Sequence, residues 1–77
     1  MIFKTQTGST YILDRGTMGW SRQSTSKSGQ IRQEFGTLLD WPTIVVGKYA
    51  ALHDSKVLPG HCDHYVFTSQ VTEILED

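Results

Sequence analysis

Apolar side chains in this chain recur at every second residue far more often than at helical spacing, the period that a half-buried β-strand imposes. Ile2 to Thr7 and Thr10 to Asp14 are rich in β-branched and aromatic residues, with Gly8-Ser9 between them. A glycine opening a two-residue connection fits a type II′ turn, so the two segments read as a hairpin. Its register has two solutions. A two-residue loop mixes polar and apolar side chains on each face. A loop one residue longer gathers Phe3, Tyr11 and Leu13 on one face and gives the better core.

Arg15-Gly16 then turns the chain, and Thr17 to Arg22 carries Met18 and Trp20 on one face. Residues 21–30, SRQSTSKSGQ, hold no apolar side chain and read as a mobile hairpin loop. Ile31 to Phe35 resumes as a short strand, making 17–35 a second hairpin. In Gly36 to Pro42, Thr37 with Asp40 three residues on resembles a capping box, while Pro42 stops any helix after one turn. A single helical turn or an extended linker is expected there.

Thr43 to Leu52, TIVVGKYAAL, is the most apolar run. Its consecutive Ile44, Val45 and Val46 predict a central strand covered on both faces, bent at Gly47. Residues 53–63 contain Pro59-Gly60 and read as a loop. Tyr65 to Thr68 and Val71 to Leu75 are strands, with Ser69-Gln70 as a kink between them or a point inside one long strand. In the second case Tyr65 and Phe67 share a face, Val66 lies opposite, and the kink lets Val71 change sides. About six short strands and almost no helix predict a single all-β domain over residues 1–77. Its expected form is a small barrel or curled antiparallel sheet of the SH3-like or OB-like kind, whose closure hides the sheet edges.

At 77 residues, such a domain buries only about 60% of the surface its unfolded chain exposes. Its one cysteine, Cys62, excludes an internal disulfide, which favours a reducing, cytoplasmic setting. Stability must come from its own core, or from surface buried against a partner or a second copy. No apolar run approaches the ~20 residues of a membrane span, and the opening residues lack the apolar stretch of a signal peptide.

The net charge of -1 with 19% charged residues does not describe a dedicated polyanion binder. The charges are nonetheless segregated. Arg15, Arg22, Lys27 and Arg32 fall between Arg15 and Gln33 with no acid among them. Asp63, Glu73, Glu76 and Asp77 fall between Gly60 and Asp77 with no lysine or arginine.

The stretch PGHCDHY, residues 59–65, is the densest in reactive side chains. His61, Cys62 and His64, with His53 and Asp63 nearby, are the candidate metal ligands. The adjacent His61 and Cys62 point apart if extended, and no second cysteine pair completes a standard zinc site. The expectation is a polar connecting loop with no metal and no cofactor. A catalytic Cys62 needs a base and an orienting group brought from distant segments, which sequence adjacency does not supply. There is no G-x-S-x-G elbow, no phosphate-binding G-x-x-x-x-G-K-[ST] and no H-E-x-x-H, so the chain is not expected to be an enzyme.

Trp20, Trp41, Tyr49 and Tyr65 are more aromatic bulk than a core this small easily hides, and partly exposed aromatics favour partner surfaces. Trp20, Arg22, Arg32, Trp41 and Tyr49 are the candidate partner-binding residues. A protein partner or a second copy is expected first. A single-stranded nucleic acid held by the 17–35 hairpin is the alternative, since Trp20, Arg22, Lys27 and Arg32 interleave aromatic and basic side chains there.

Phe3-x-Thr5-x-x-Gly8-Ser9-x-Tyr11 at the start and Thr68-Ser69-x-Val71-x-x-Ile74 at the end, with Val46-Gly47-Lys48-Tyr49-Ala50 between, resemble small orphan proteins of actinobacterial phages and prophages. The resemblance covers about a quarter of the chain and brings no catalytic residues with it. It implies a phage-encoded accessory protein acting in the bacterial host cytoplasm.

Overall fold

A computed structural model describes residues 1–24, 34–56, 60 and 63–77. Six strands follow in chain order: β1 (Ile2–Thr5), β2 (Ser9–Asp14), β3 (Gly19–Ser24), β4 (Phe35–Thr37), β5 (Tyr49–Asp54) and β6 (His64–Glu76). Every pairing is antiparallel, in the order β4-β3-β2-β1-β6-β5. The two ends of this sheet meet. Leu38 bridges Asp54, the Leu39 amide donates to the His53 carbonyl at 2.8 Å, and the Ser55 amide donates to the Thr37 carbonyl at 2.8 Å. The result is a nearly closed small barrel, as the strand pattern predicts. No helix among the described residues is long and apolar enough to cross a membrane.

The first hairpin adopts the longer of its two expected loops. Phe3 pairs with Tyr11 and Lys4 with Thr10, leaving Gln6-Thr7-Gly8 as a three-residue connection. Gly8 has φ 86° and donates its amide to the Thr5 carbonyl at 3.0 Å, the left-handed last position that such loops need. Ser9 is therefore the first strand residue and not a turn residue. Between β2 and β3 the turn spans Arg15 to Met18. Asp14 Oδ1 accepts from the Gly16 amide at 2.8 Å and the Thr17 amide at 3.4 Å. Met18, at φ 61°, closes this turn and packs against the core instead of starting the strand.

The core is Phe3, Tyr11, Leu13, Trp20, Leu38, Ala50, Leu52 and Val71, all at most 3% exposed. Phe3 stacks on Tyr11 with centroids 5.1 Å apart, and Tyr11 on Trp20 at 6.4 Å, so aromatic rings line the inner wall of three successive strands. Each large apolar side chain buried in this way contributes roughly 1.5–3 kcal/mol.

Three expectations need correction, and at residues 36–42 the structure takes the extended of the two expected forms. The strand expected at Ile31 to Phe35 is centred later, at Phe35–Thr37, and residues 31–33 lie outside those described. Of the expected loop at residues 21–30, residues 21–24 complete β3, and residues 25–30 lie outside those described. The 36–42 segment is extended, without the helical turn, because Leu38 must reach the core and its backbone must seal the barrel. The run Thr43 to Leu52 does not form a central strand. A barrel wall has one covered face, so three consecutive apolar residues cannot all be buried in it. Ile44 packs on the core, Val45 and Val46 stay 45% and 53% exposed, and the strand begins only at Tyr49.

β6 is the long uninterrupted strand, paired to β5 through its first half and to β1 through its second. Register shifts fall between Ile2 and Phe3, between Lys4 and Thr5, and between Tyr49 and Ala51. Thr68 and Val71 are both buried although three residues apart, so the side-chain alternation slips between them, as an intervening kink predicts.

Candidate functional site

Strand alternation sorts β5 cleanly. Ala50, Leu52 and Asp54 point inward, while Tyr49, Ala51 and His53 stand on the outer wall. On β6, Val66 and Thr68 face in, and Tyr65 and Phe67 face out. The register sets Ala51 opposite Phe67 and His53 opposite Tyr65. The outward rings therefore touch in series. Tyr49 meets Phe67 edge-on at 5.9 Å, Phe67 stacks with Tyr65 at 6.2 Å, and Tyr65 stacks with His53 at 4.5 Å. Tyr49, Phe67 and Tyr65 are 65%, 58% and 46% exposed. Scattered exposed apolar residues are ordinary on a small protein, but a contiguous run of them marks an interaction surface.

One end of this strip is acidic. His53 Nδ1 lies 3.1 Å from Asp40 Oδ2, and its Nε2 lies 3.0 Å from Asp63 Oδ1. When the ring is protonated, both nitrogens donate, one to each carboxylate. The bond to Asp40 first, and that to Asp63 after it, hold the His53 pKa above its ordinary value despite partial desolvation. Two carboxylates around one imidazolium leave this end with a net negative charge. Lys48, exposed and without an ion-pair partner among the described residues, gives the other end a positive charge. Beside it, an open depression of about 830 Å³ is lined by Thr43, Gly47, Lys48, Tyr49, Ala51 and Gln70.

The turn that places Lys48 and Tyr49 is specific. The Lys48 amide donates to the Val45 carbonyl at 3.2 Å across a turn whose third residue, Gly47, has φ 95°. Gly47 donates to the Val71 carbonyl at 2.8 Å, and Val71 donates to the Lys48 carbonyl at 2.9 Å, pinning this turn to β6.

The residues expected to bind a partner are dispersed. Tyr49 lies on the strip. Trp20 does not: it is 3% exposed, inside the barrel, because its cross-strand neighbours Leu13 and Tyr11 hold the same inner face. Arg22 stands opposite Tyr11 and is half-buried, its Nε without a hydrogen-bond partner among the described residues. Trp41 is half-buried at one end of the barrel under the Arg15 guanidinium, 4.5 Å from its ring centroid, beside Met1 and Asp77. Arg32 lies outside the described residues.

Of the metal candidates, His61 and Cys62 also lie outside them, and His64 opens β6 opposite Asp54. Asp40 and Asp63 approach opposite nitrogens of His53 and cannot converge with it on one ion. Among the described residues no group of three or more His, Cys, Asp or Glu side chains is arranged to hold a metal. Phe67 and His53 were not among the expected contact residues. Alternation pairs Tyr65 with Phe67 in the sequence, but it does not say that their shared face is the outer one.

Fold and site together define a class: a six-stranded, nearly closed antiparallel barrel with an exposed aromatic strip on one wall, charged oppositely at its two ends. No protein family, curated protein or solved structure was found to match the chain.

Proposed function

We propose that this barrel is a non-enzymatic accessory protein that acts by binding another protein through the β5–β6 wall. The observation that carries the reading is the contiguous exposed run Tyr49, Phe67, Tyr65, which ends against the half-buried His53. Aromatic residues of this kind supply large, rigid contact area with little entropy to lose, which is why they anchor protein interfaces. The resemblance of the chain's ends to phage and prophage proteins supports a phage-encoded protein acting in a host cytoplasm. The nucleic-acid alternative drew its aromatic platform from Trp20, which faces the core, while the exposed strip carries Asp40 and Asp63 where phosphates would have to approach.

Affinity capture from an actinobacterial lysate, wild type against Tyr49→Ser/Phe67→Ser, tests this reading. Specific proteins enriched by the wild type and lost by the folded variant support it. Identical protein sets overturn it. Tight binding of labelled single strands that disappears in Arg22→Ala/Arg32→Ala and in moderate salt turns the assignment to nucleic acid.

A further inference from the structure

The barrel is nearly closed, and its gap lies along one edge of β5. The His53 carbonyl accepts from Leu39 and the Ser55 amide donates to Thr37, so the backbone groups of odd-numbered residues here face the seam. The Ala50 amide reaches Thr68 Oγ1 and the Lys48 carbonyl accepts from Val71, so those of even-numbered residues face β6. Alternation therefore aims the Tyr49 carbonyl, both backbone groups of Ala51 and the His53 amide away from β6. Among the described residues no backbone hydrogen bond reaches them. Beyond Leu39 the chain leaves this edge. Trp41 packs beside Met1 and Asp77, and the chain rejoins the sheet at Gly47, whose amide donates to Val71. Thr43 lines the same open depression of about 830 Å³ as Tyr49 and Ala51, with no backbone bond to either.

An unpaired stretch of strand beside an open depression is a template for one more strand. Its surroundings describe that strand. Ala51 is the smallest outward side chain of β5 and stands between Tyr49 and His53. A residue bonded opposite Ala51 sets its side chain over this hollow, between aromatic rings, where an apolar group fits. Lys48, exposed and without an ion-pair partner among the described residues, precedes the stretch. The Asp40 carboxylate, 67% exposed against His53, marks its far end. A segment that continues the antiparallel seam begun at Leu38 therefore meets Asp40 first and Lys48 last, which calls for a basic residue near its start and an acidic one near its finish.

We propose that an extended segment of the partner protein adds to the free edge of β5 as a further antiparallel strand. It bonds to the Tyr49 carbonyl, to Ala51 and to the His53 amide, and carries a basic residue at Asp40, an apolar one at Ala51 and an acidic one at Lys48. This rests on the reading of the β5–β6 wall as a protein-binding surface and states how the partner is held. Main-chain bonds supply affinity and the alternating side chains supply selection. The added strand occupies the gap that the 41–46 segment leaves between the Leu38 seam and the Gly47 turn.

Panning short random peptides displayed on phage against the whole chain tests the proposal, with the enriched sequence then measured by titration calorimetry as a synthetic peptide blocked at both ends. The expected result is a sequence ordered basic, apolar, acidic. Its binding slows hydrogen exchange of the Ala51 and His53 amides, read by NMR. N-methylation of the peptide residue paired with Ala51 raises the dissociation constant at least ~10-fold. Ala51→Pro, which costs no bond to β6, does the same, with circular dichroism confirming the fold. Lys48→Glu turns the selected acidic residue into a basic one. Failure to enrich any sequence, unchanged exchange at Ala51, or binding indifferent to N-methylation overturns strand addition. If Tyr49→Ser/Phe67→Ser still loses captured proteins in that event, the binding surface stands and only its mode falls. Identical captured sets as well overturn the surface itself.

Discussion

Trp20 donates its indole N–H to Asp54 Oδ2 at 2.7 Å, a buried bond between residues 34 apart in sequence. It joins β3 to β5 across the inner side of β4, where Gly36 stands opposite Trp20 and Leu38 bridges Asp54. The other carboxyl oxygen of Asp54 accepts from the Lys56 amide at 2.8 Å. One side chain thus ties β3 to the end of β5 at the seam where the barrel shuts. Asp54→Ala strands a buried indole N–H, at a cost of about 1–3 kcal/mol, and also removes the acceptor of the amide of the exposed Lys56. Trp20→Phe/Asp54→Ala should be less destabilised than the sum of the single changes in urea unfolding, because the two share one interaction. Additive losses would show that the bond does not couple the strands.

Thr68 performs a comparable task at the irregularity in β5. The pairing register jumps between Tyr49 and Ala51, and the Ala50 amide donates instead to Thr68 Oγ1 at 2.9 Å. That hydroxyl in turn donates to the Ser69 carbonyl at 2.7 Å. Thr68→Val keeps the shape and removes the acceptor, leaving a buried amide unpaired. A loss of about 1–3 kcal/mol in urea unfolding is expected, with Thr68→Ser recovering most of it. Equal stability of the valine and serine variants would contradict this role.

Gly47 has φ 95°, and a Cβ built there meets nothing within 4 Å. Any cost of Gly47→Ala is therefore backbone strain, not collision, and is expected near 1–2 kcal/mol. Gly47→Asn should cost less, because asparagine enters the left-handed region more readily. Thermal melting distinguishes the two. If alanine and asparagine prove equally costly, φ strain is not the determinant.

His53 predicts a pH dependence. Its folded pKa is raised above 6.5, first by the bond to Asp40 and also by Asp63, against desolvation. A base whose pKa rises on folding contributes stability that is complete below its unfolded value and is lost as pH climbs through the folded one. The groups facing the ring are Asp40 from the β4–β5 connection, Asp63 ahead of β6, and Tyr65 stacked on it. The melting temperature should fall as pH rises from 6.5 through the folded His53 value, and His53→Gln should flatten that slope. Titrating the imidazole C–H resonances by NMR checks the cause, since Asp40→Asn should bring the pKa back towards 6.5. No change in that variant removes Asp40 as the main influence.

The aromatic and β-branched spacing around Phe3, Tyr11 and Leu13 was enough to read a hairpin and to favour the longer of its two loops as the better core, with the register left open. That is local information: alternation fixes which side chains share a face, and a left-handed glycine fits only one position of the loop. The same alternation joined Tyr65 to Phe67 and left Val66 opposite. It failed at Ile44-Val45-Val46, where hydrophobicity alone argued for a strand covered on both sides. A single closed wall offers no second layer to cover it.

The expected contact residues scattered for a related reason. Trp20 and Tyr49 are both large aromatics on short strands, and nothing local separates the one that fills the barrel from the one that stands outside it. Direction is set by closure. Once β4 meets β5 through Leu38 and Asp54, the inner face is defined for every strand, and Trp20 must turn towards Asp54 while Tyr49 is left in solvent. Short paired strands were legible from the chain alone, because period-two patterning acts between neighbouring residues. Which of their faces became the outside, and so brought Tyr49, Phe67, Tyr65 and His53 into one strip, was settled by barrel closure, because that depends on contacts between residues far apart in the chain.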